Sequence, residues 1–174
     1  MPSVTPKILP AATSATNTAL MIGDLLEAGV RMAGDNQIVY RDQSRHSYER
    51  FRERVHQLAH TLTSQGVQAG DVVAVQILYT MDHAEDVFVI VHEEFVPLLE
   101  PLADKLPQVR GYLLCQETPQ TVDTTLPLVG EFESLLSQQP THYDFPTFDE
   151  NAVATLFYTT GTTGNPKGVF FTHR

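Results

Sequence analysis

Residues 156–169 read Leu156-Phe157-Tyr158-Thr159-Thr160-Gly161-Thr162-Thr163-Gly164-Asn165-Pro166-Lys167-Gly168-Val169. An apolar run leads into ten residues, 159–168, that hold four threonines, three glycines and one lysine. Glycine lets backbone N–H groups come close to an anion, and successive N–H groups form a concave anion-binding nest. Threonine hydroxyls add donors that rotate to suit a ligand. Lysine brings a mobile point charge on a long stem. The stretch therefore predicts a strand that feeds a nucleotide-phosphate loop.

The loop is not a Walker A motif, because Lys167 follows Pro166 and no helix-starting Ser or Thr comes after it. The spacing of Gly161, Gly164 and Gly168 also fails the dinucleotide fingerprint Gly-x-Gly-x-x-Gly. Thr159 to Gly168 does resemble, position by position, the phosphate loop of the AMP-forming acyl-adenylate enzymes. The flanking Phe157-Tyr158 and Phe170-Phe171-Thr172-His173-Arg174 are most similar to the medium- and long-chain fatty acyl-CoA synthetase branch. Weaker resemblance extends over nearly everything after residue 18, including Gly70-Asp71-Val72-Val73-Ala74-Val75 and Tyr79-Thr80-Met81-Asp82-His83-Ala84-Glu85-Asp86.

The resemblance implies a fatty acid–CoA ligase chemistry. A carboxylate attacks the α-phosphorus of ATP, an acyl-adenylate and pyrophosphate form, and coenzyme A then displaces AMP. Mg²⁺ travels with the ATP. Backbone amides around Gly161 and Gly164 would wrap the phosphates, with Thr160, Thr162 and Thr163 hydroxyls adding hydrogen bonds and Lys167 neutralising charge. Thr159 is the expected Mg²⁺ contact, though hard Mg²⁺ prefers carboxylate, phosphate and water. No catalytic residue is assigned. The motifs for adenine, ribose and the acyl group, and the lysine that promotes adenylation, lie downstream of this loop in the family, and Lys167 is not that lysine. The expectation is part of such a ligase, inactive as this chain. The alternatives are a non-catalytic nucleotide-binding module or a non-functional remnant.

One join departs from the family. Relatives place a helix and another strand between the Gly-Asp-Val-Val-Ala-Val strand and the Tyr-Thr-Met-Asp-His-Ala-Glu-Asp segment. Here they nearly abut at Val75-Gln76-Ile77. A parallel crossover needs about a dozen residues or more, and residues 76–86 supply eleven. An internal deletion is expected there.

Composition sets bounds. At 174 residues the chain holds one domain, and 42% hydrophobic content suffices for a core. A net charge of −10 argues against nucleic-acid or anionic-membrane partners. The single Cys115 excludes an internal disulfide framework and fits a reducing compartment. It reads as a small buried side chain rather than a reactive thiol. No run approaches the roughly 18 apolar residues of a membrane span. Residues 1–18 read as a disordered terminus without signal-peptide character, which assigns the chain to the cytoplasm. Residues 19–174 read as a partial adenylate-forming domain, and the open edge of its final strand allows a homo-oligomer.

Alternating periodicity predicts an open, largely parallel α/β sheet with flanking helices. Helices are expected at 20–32, 48–65 (capped by Ser47 and ended by Gly66), 77–85, 95–105 and 132–136. Strands are expected at 37–41, 72–75, 87–91, 109–115, 152–158 and 169–172, with loops at 117–127 and 137–149. Glu49, Glu53, His56 and His60 share a stripe that metal could use, but read as a solvated helix flank. Asp82, His83, Glu85 and Asp86 read as a polar helix face rather than an acid–base cluster. His173 reads as a surface or cleft-wall residue.

Overall fold

The structure, a computed structural model, describes residues 19–75, 80–81, 84–159 and 167–174. In chain order run α1 (Ile22–Ala33), β1 (Gln37–Tyr40), β2 (Ser44–Ser47), α2 (Tyr48–Ser64), β3 (Val73–Val75) and β4 (Phe88–His92). They are followed by α3 (Val96–Leu99), β5 (Gly111–Cys115), β6 (Leu128–Glu131), α4 (Phe132–Ser137), β7 (Val153–Thr159) and β8 (Lys167–Thr172). Two 3-10 turns, Glu93–Phe95 and Glu100–Lys105, flank α3. The expected disordered residues 1–18 lie outside the described residues.

The continuous apolar runs of β4 and β5 demand cover on both faces, and they receive it. The parallel sheet has the order β3-β4-β5-β6. Phe88, Ile90 and Leu113 point to one face, where Leu58 and Leu62 of α2 and Phe132 and Leu135 of α4 pack. Val89, Val91, Tyr112 and Leu114 point to the other, covered by Val96, Leu99 and Leu106. The predicted helix over 95–105 is broken as its Pro97 and Pro101 suggest, one turn of α-helix between two 3-10 segments.

The caps of α2 are legible residue by residue. Ser47 Oγ accepts the Arg50 N–H at 3.1 Å. At the other end Gly66 N–H bonds Thr63 O at 3.0 Å and Val67 N–H bonds Leu62 O at 3.1 Å. With Gly66 at φ +80° this is the two-bond left-handed stop that favours glycine.

Two strands escape the periodicity. β2 is Ser-Arg-His-Ser, with no apolar alternation, and exists because β1 pairs with it antiparallel. β6 adds to β5 in parallel with a register shift, and Gly130, at φ +150°, leaves no room for a Cβ beside Leu135. Of the expected helix over 77–85, residues 77–79 and 82–83 lie outside the described residues. Thr80, Met81, Ala84 and Glu85 form bends and turns, and Glu85 adopts φ +56°. A helix needs unbroken right-handed backbone, and that residue ends it.

The 48–65 helix corrects a second expectation. Of the stripe Glu49, Glu53, His56 and His60, Glu49 is exposed as a solvated flank should be, but His56 is only 5% exposed and the C-terminal half of the stripe is covered. It carries residues 139–145, which read from sequence as linker. Gln57 Nε2 donates to Gln139 O at 3.1 Å, and Tyr143 N–H donates to His56 Nδ1 at 2.6 Å. His60 Nε2 lies 2.6 Å from His142 O, and Thr63 Oγ1 3.0 Å from Tyr143 Oη. Among the described residues no cluster of His, Cys, Asp and Glu could hold a metal.

Candidate functional site

β7 and β8 form an antiparallel hairpin whose last pairs are Phe157 with Val169, Tyr158 with Gly168, and Thr159 with Lys167. The hairpin thus brings the two ends of residues 160–166 face to face. Two-residue to five-residue loops suffice to join such strands. The seven-residue connection, rich in glycine and threonine, is longer than chain reversal needs.

Of the sequence-predicted site residues, the structure places two at this mouth. Lys167 is exposed at the start of β8, directly across the ladder from Thr159 at the end of β7. Thr160, Gly161, Thr162, Thr163 and Gly164 lie outside the described residues. Gly168 has a clear local reason. A Cβ there would sit 3.1 Å from Leu156 Cδ1 and 3.4 Å from the Tyr158 ring, so the strands close tightly behind the loop.

The hairpin is anchored from its far end. His173 Nδ1 accepts the Ile22 N–H at 3.2 Å and its ring meets Phe148 edge-on at 5.0 Å. Glu150 accepts the Leu20 N–H at 2.7 Å and pairs with Arg174. These bonds hold its carboxyl below the usual range. His173 is therefore a tether between α1 and the end of β8.

Cys115 ends β5, half-buried and free. Burial first, then the charges of Glu131 and Glu133, push its thiol up to about 11, so it stays protonated and unreactive at neutral pH. Asp86, read from the sequence as part of a polar helix face, is a correction. It is 3% exposed, and burial raises its carboxyl to about 6. Its one sequence signal was an acid placed directly before the apolar run 87–91.

Comparison with known proteins follows this geometry. The model of the AMP-binding enzyme family matches residues 76–174. Medium-chain-fatty-acid–CoA ligase of Ectopseudomonas oleovorans is 37% identical over 99 residues, 57% of this chain and 18% of that protein. Long-chain-fatty-acid–CoA ligase of Thermus thermophilus is 26% identical over 191 aligned positions, covering 89% of this chain and 34% of that one. The crystal structure of the anthranilate CoA ligase AuaEII in complex with anthranoyl-AMP shares the fold, with a TM-score of 0.76 and 20% identity. That likeness covers 89% of this chain and 35% of the ligase. The chain thus spans about a third or less of these relatives. With the family model matching over half its length, the chain belongs to the AMP-binding enzyme family.

Proposed function

We propose that this chain supplies the phosphate loop of an ATP-dependent, AMP-forming fatty acid–CoA ligase. The observation that carries the reading is the β7–β8 hairpin, which sets the exposed Lys167 across from Thr159 at the mouth of a Gly/Thr-rich connection. Relatives named as CoA ligases, and a fold neighbour that holds an acyl-type adenylate, support it.

In this reading, residues 159–164 cradle the β- and γ-phosphates through backbone N–H groups and hydroxyls, and Lys167 neutralises the leaving pyrophosphate. Thr159 would be the protein contact for an Mg²⁺ carried by ATP, which would offset phosphate charge. No residue of this chain is given proton transfer. Residues 19–174 form one partial adenylate-forming domain, with the cytoplasm as its compartment. Among the described residues no helix is long and apolar enough to cross a membrane. We also place an internal shortening between β3 and β4. The Thermus alignment runs over 191 positions, more than the 174 residues here, and the family match begins at residue 76, just past β3.

The test is calorimetric titration with Mg·ATP, beside an assay for acyl-CoA formation. Saturable binding is expected, weakened at least about tenfold by Lys167→Ala, as for loss of a charge-assisted contact. Acyl-CoA formation by this chain alone is expected to be nil. A flat titration at millimolar ATP, or binding indifferent to Lys167→Ala, overturns the loop assignment.

A further inference from the structure

Between β3 and β7 lies a cavity of about 270 Å³. Val73 and Ala74 form one wall, Leu156 and Tyr158 the opposite one, and Thr80 and Asp86 lie between. The apolar lining is ordinary for a small-ligand site, where a few polar groups fix orientation. The acid is not ordinary. Asp86 is 3% exposed, and burial alone accounts for the rise of its carboxyl, with no hydrogen bond to it from the described residues. A buried charge normally comes with a partner, because leaving one unpaired is costly. The Tyr158 phenol on the same lining feels that acid, since burial first and the Asp86 charge second push it upward.

The chemistry of a partner that would suit this acid is restricted. An anion meets a like charge. A neutral alcohol offers one donor and leaves the charge uncompensated. A divalent metal wants several oxygen ligands, and the described residues hold no such cluster. We propose that the cavity is a binding site for a small organic ammonium, its N–H donors on the Asp86 carboxylate and its short apolar tail against Val73, Ala74 and Leu156. Thr80, 6% exposed, adds a hydroxyl to the same lining as a further acceptor. The site is distinct from the phosphate loop. The loop at the end of β7 is built for a polyanion, whereas the middle of the same strand walls a site for a cation.

The probe is n-butylammonium, with 1-butanol as its neutral match and butyrate as its anionic one. Binding is read by calorimetry and by amide shifts of Asp86, Leu156 and Tyr158. At pH 7.5 saturable butylammonium binding is expected, with butanol and butyrate far weaker. Asp86→Asn should weaken it at least about thirtyfold, the usual cost of removing one partner of a buried ion pair. Lowering the pH to 5 should weaken it in the unaltered chain. Butylammonium binding no tighter than butanol, or unchanged in Asp86→Asn, overturns the proposal. Should the variant fail to unfold cooperatively, the pH series decides, since affinity independent of pH between 7.5 and 5 sinks the carboxylate as partner. None of these outcomes bears on ATP binding, so the two readings fail separately.

Discussion

Asp86 shows how one residue carries a pH dependence of definite sign. Its carboxyl titrates at about 6 in the fold against an ordinary 3.8, because burial penalises the charge. An acid raised in this way contributes stability that is complete below 3.8 and is lost as pH rises through about 6. At pH 8 the burial of its charge therefore costs about 3 kcal/mol. Asp86→Asn is expected to raise stability by about 2–3 kcal/mol at pH 8 and by a fraction of that at pH 4. Urea unfolding of both chains across this range measures it. A variant less stable than the parent at pH 8 refutes the account.

At the scale of elements, the docking of residues 139–145 on α2 holds a second titration of opposite sign. His56 sits under this segment, stacked on His142 at 5.5 Å and edge-on to Phe145 at 5.2 Å. Nδ1 accepts the Tyr143 N–H, a bond made by the neutral ring. Burial first and the charge of His142 second lower its pKa from 6.5. Glu27, 3.8 Å from Nε2, acts the other way, Arg52 adds to the lowering, and Asp144 pairs with the His142 ring. A histidine depressed in this way stabilises the fold above 6.5, and that contribution is lost as pH falls through the lower folded value. Hydrogen exchange at the Tyr143 amide, corrected for intrinsic rate, should lose protection below pH 6.5 by up to about tenfold per unit. Measuring in an Asp86→Asn background removes the opposing slope. Constant protection down to pH 4.5 would show that the bond does not govern docking. A further tie, the Arg54–Glu133 pair at 2.6 Å, fastens α2 to α4 and holds Glu133 below the usual carboxylate range.

Across the whole molecule, apolar surface is unevenly covered. Both faces of the parallel sheet are closed, yet the β7–β8 hairpin shows Phe157, Phe170 and Phe171 at 58%, 64% and 50% exposure. Leu156 pairs with Phe170 while Phe157 pairs with Val169, so the aromatic residues fall on both faces of the hairpin. Such a surface favours association. Light scattering at tens of micromolar is expected to rise with concentration, and Phe170→Ser should lower it. A clean monomer for the parent chain would remove the homo-oligomer expectation.

How much of this was written locally follows from range. The runs of β4 and β5, the caps of α2 and the Thr159 to Gly168 pattern are decided by neighbours within a few residues, so periodicity, capping chemistry and glycine spacing reveal them. The family that the Thr159 to Gly168 pattern resembles was equally local, and the family match over residues 76–174 agrees with it. β2 and β6 carry no period of their own, because a strand partner supplies their hydrogen bonds. Apart from the apolar run that follows Asp86, nothing near Asp86 or His56 announces burial. Asp86 is enclosed where β7 comes up to β3, about seventy residues along the chain, and His56 by a segment more than eighty residues away. Residue types declare which chemistry a side chain can perform. Desolvation, which sets whether it does so charged or neutral, comes from atoms that only folding brings near.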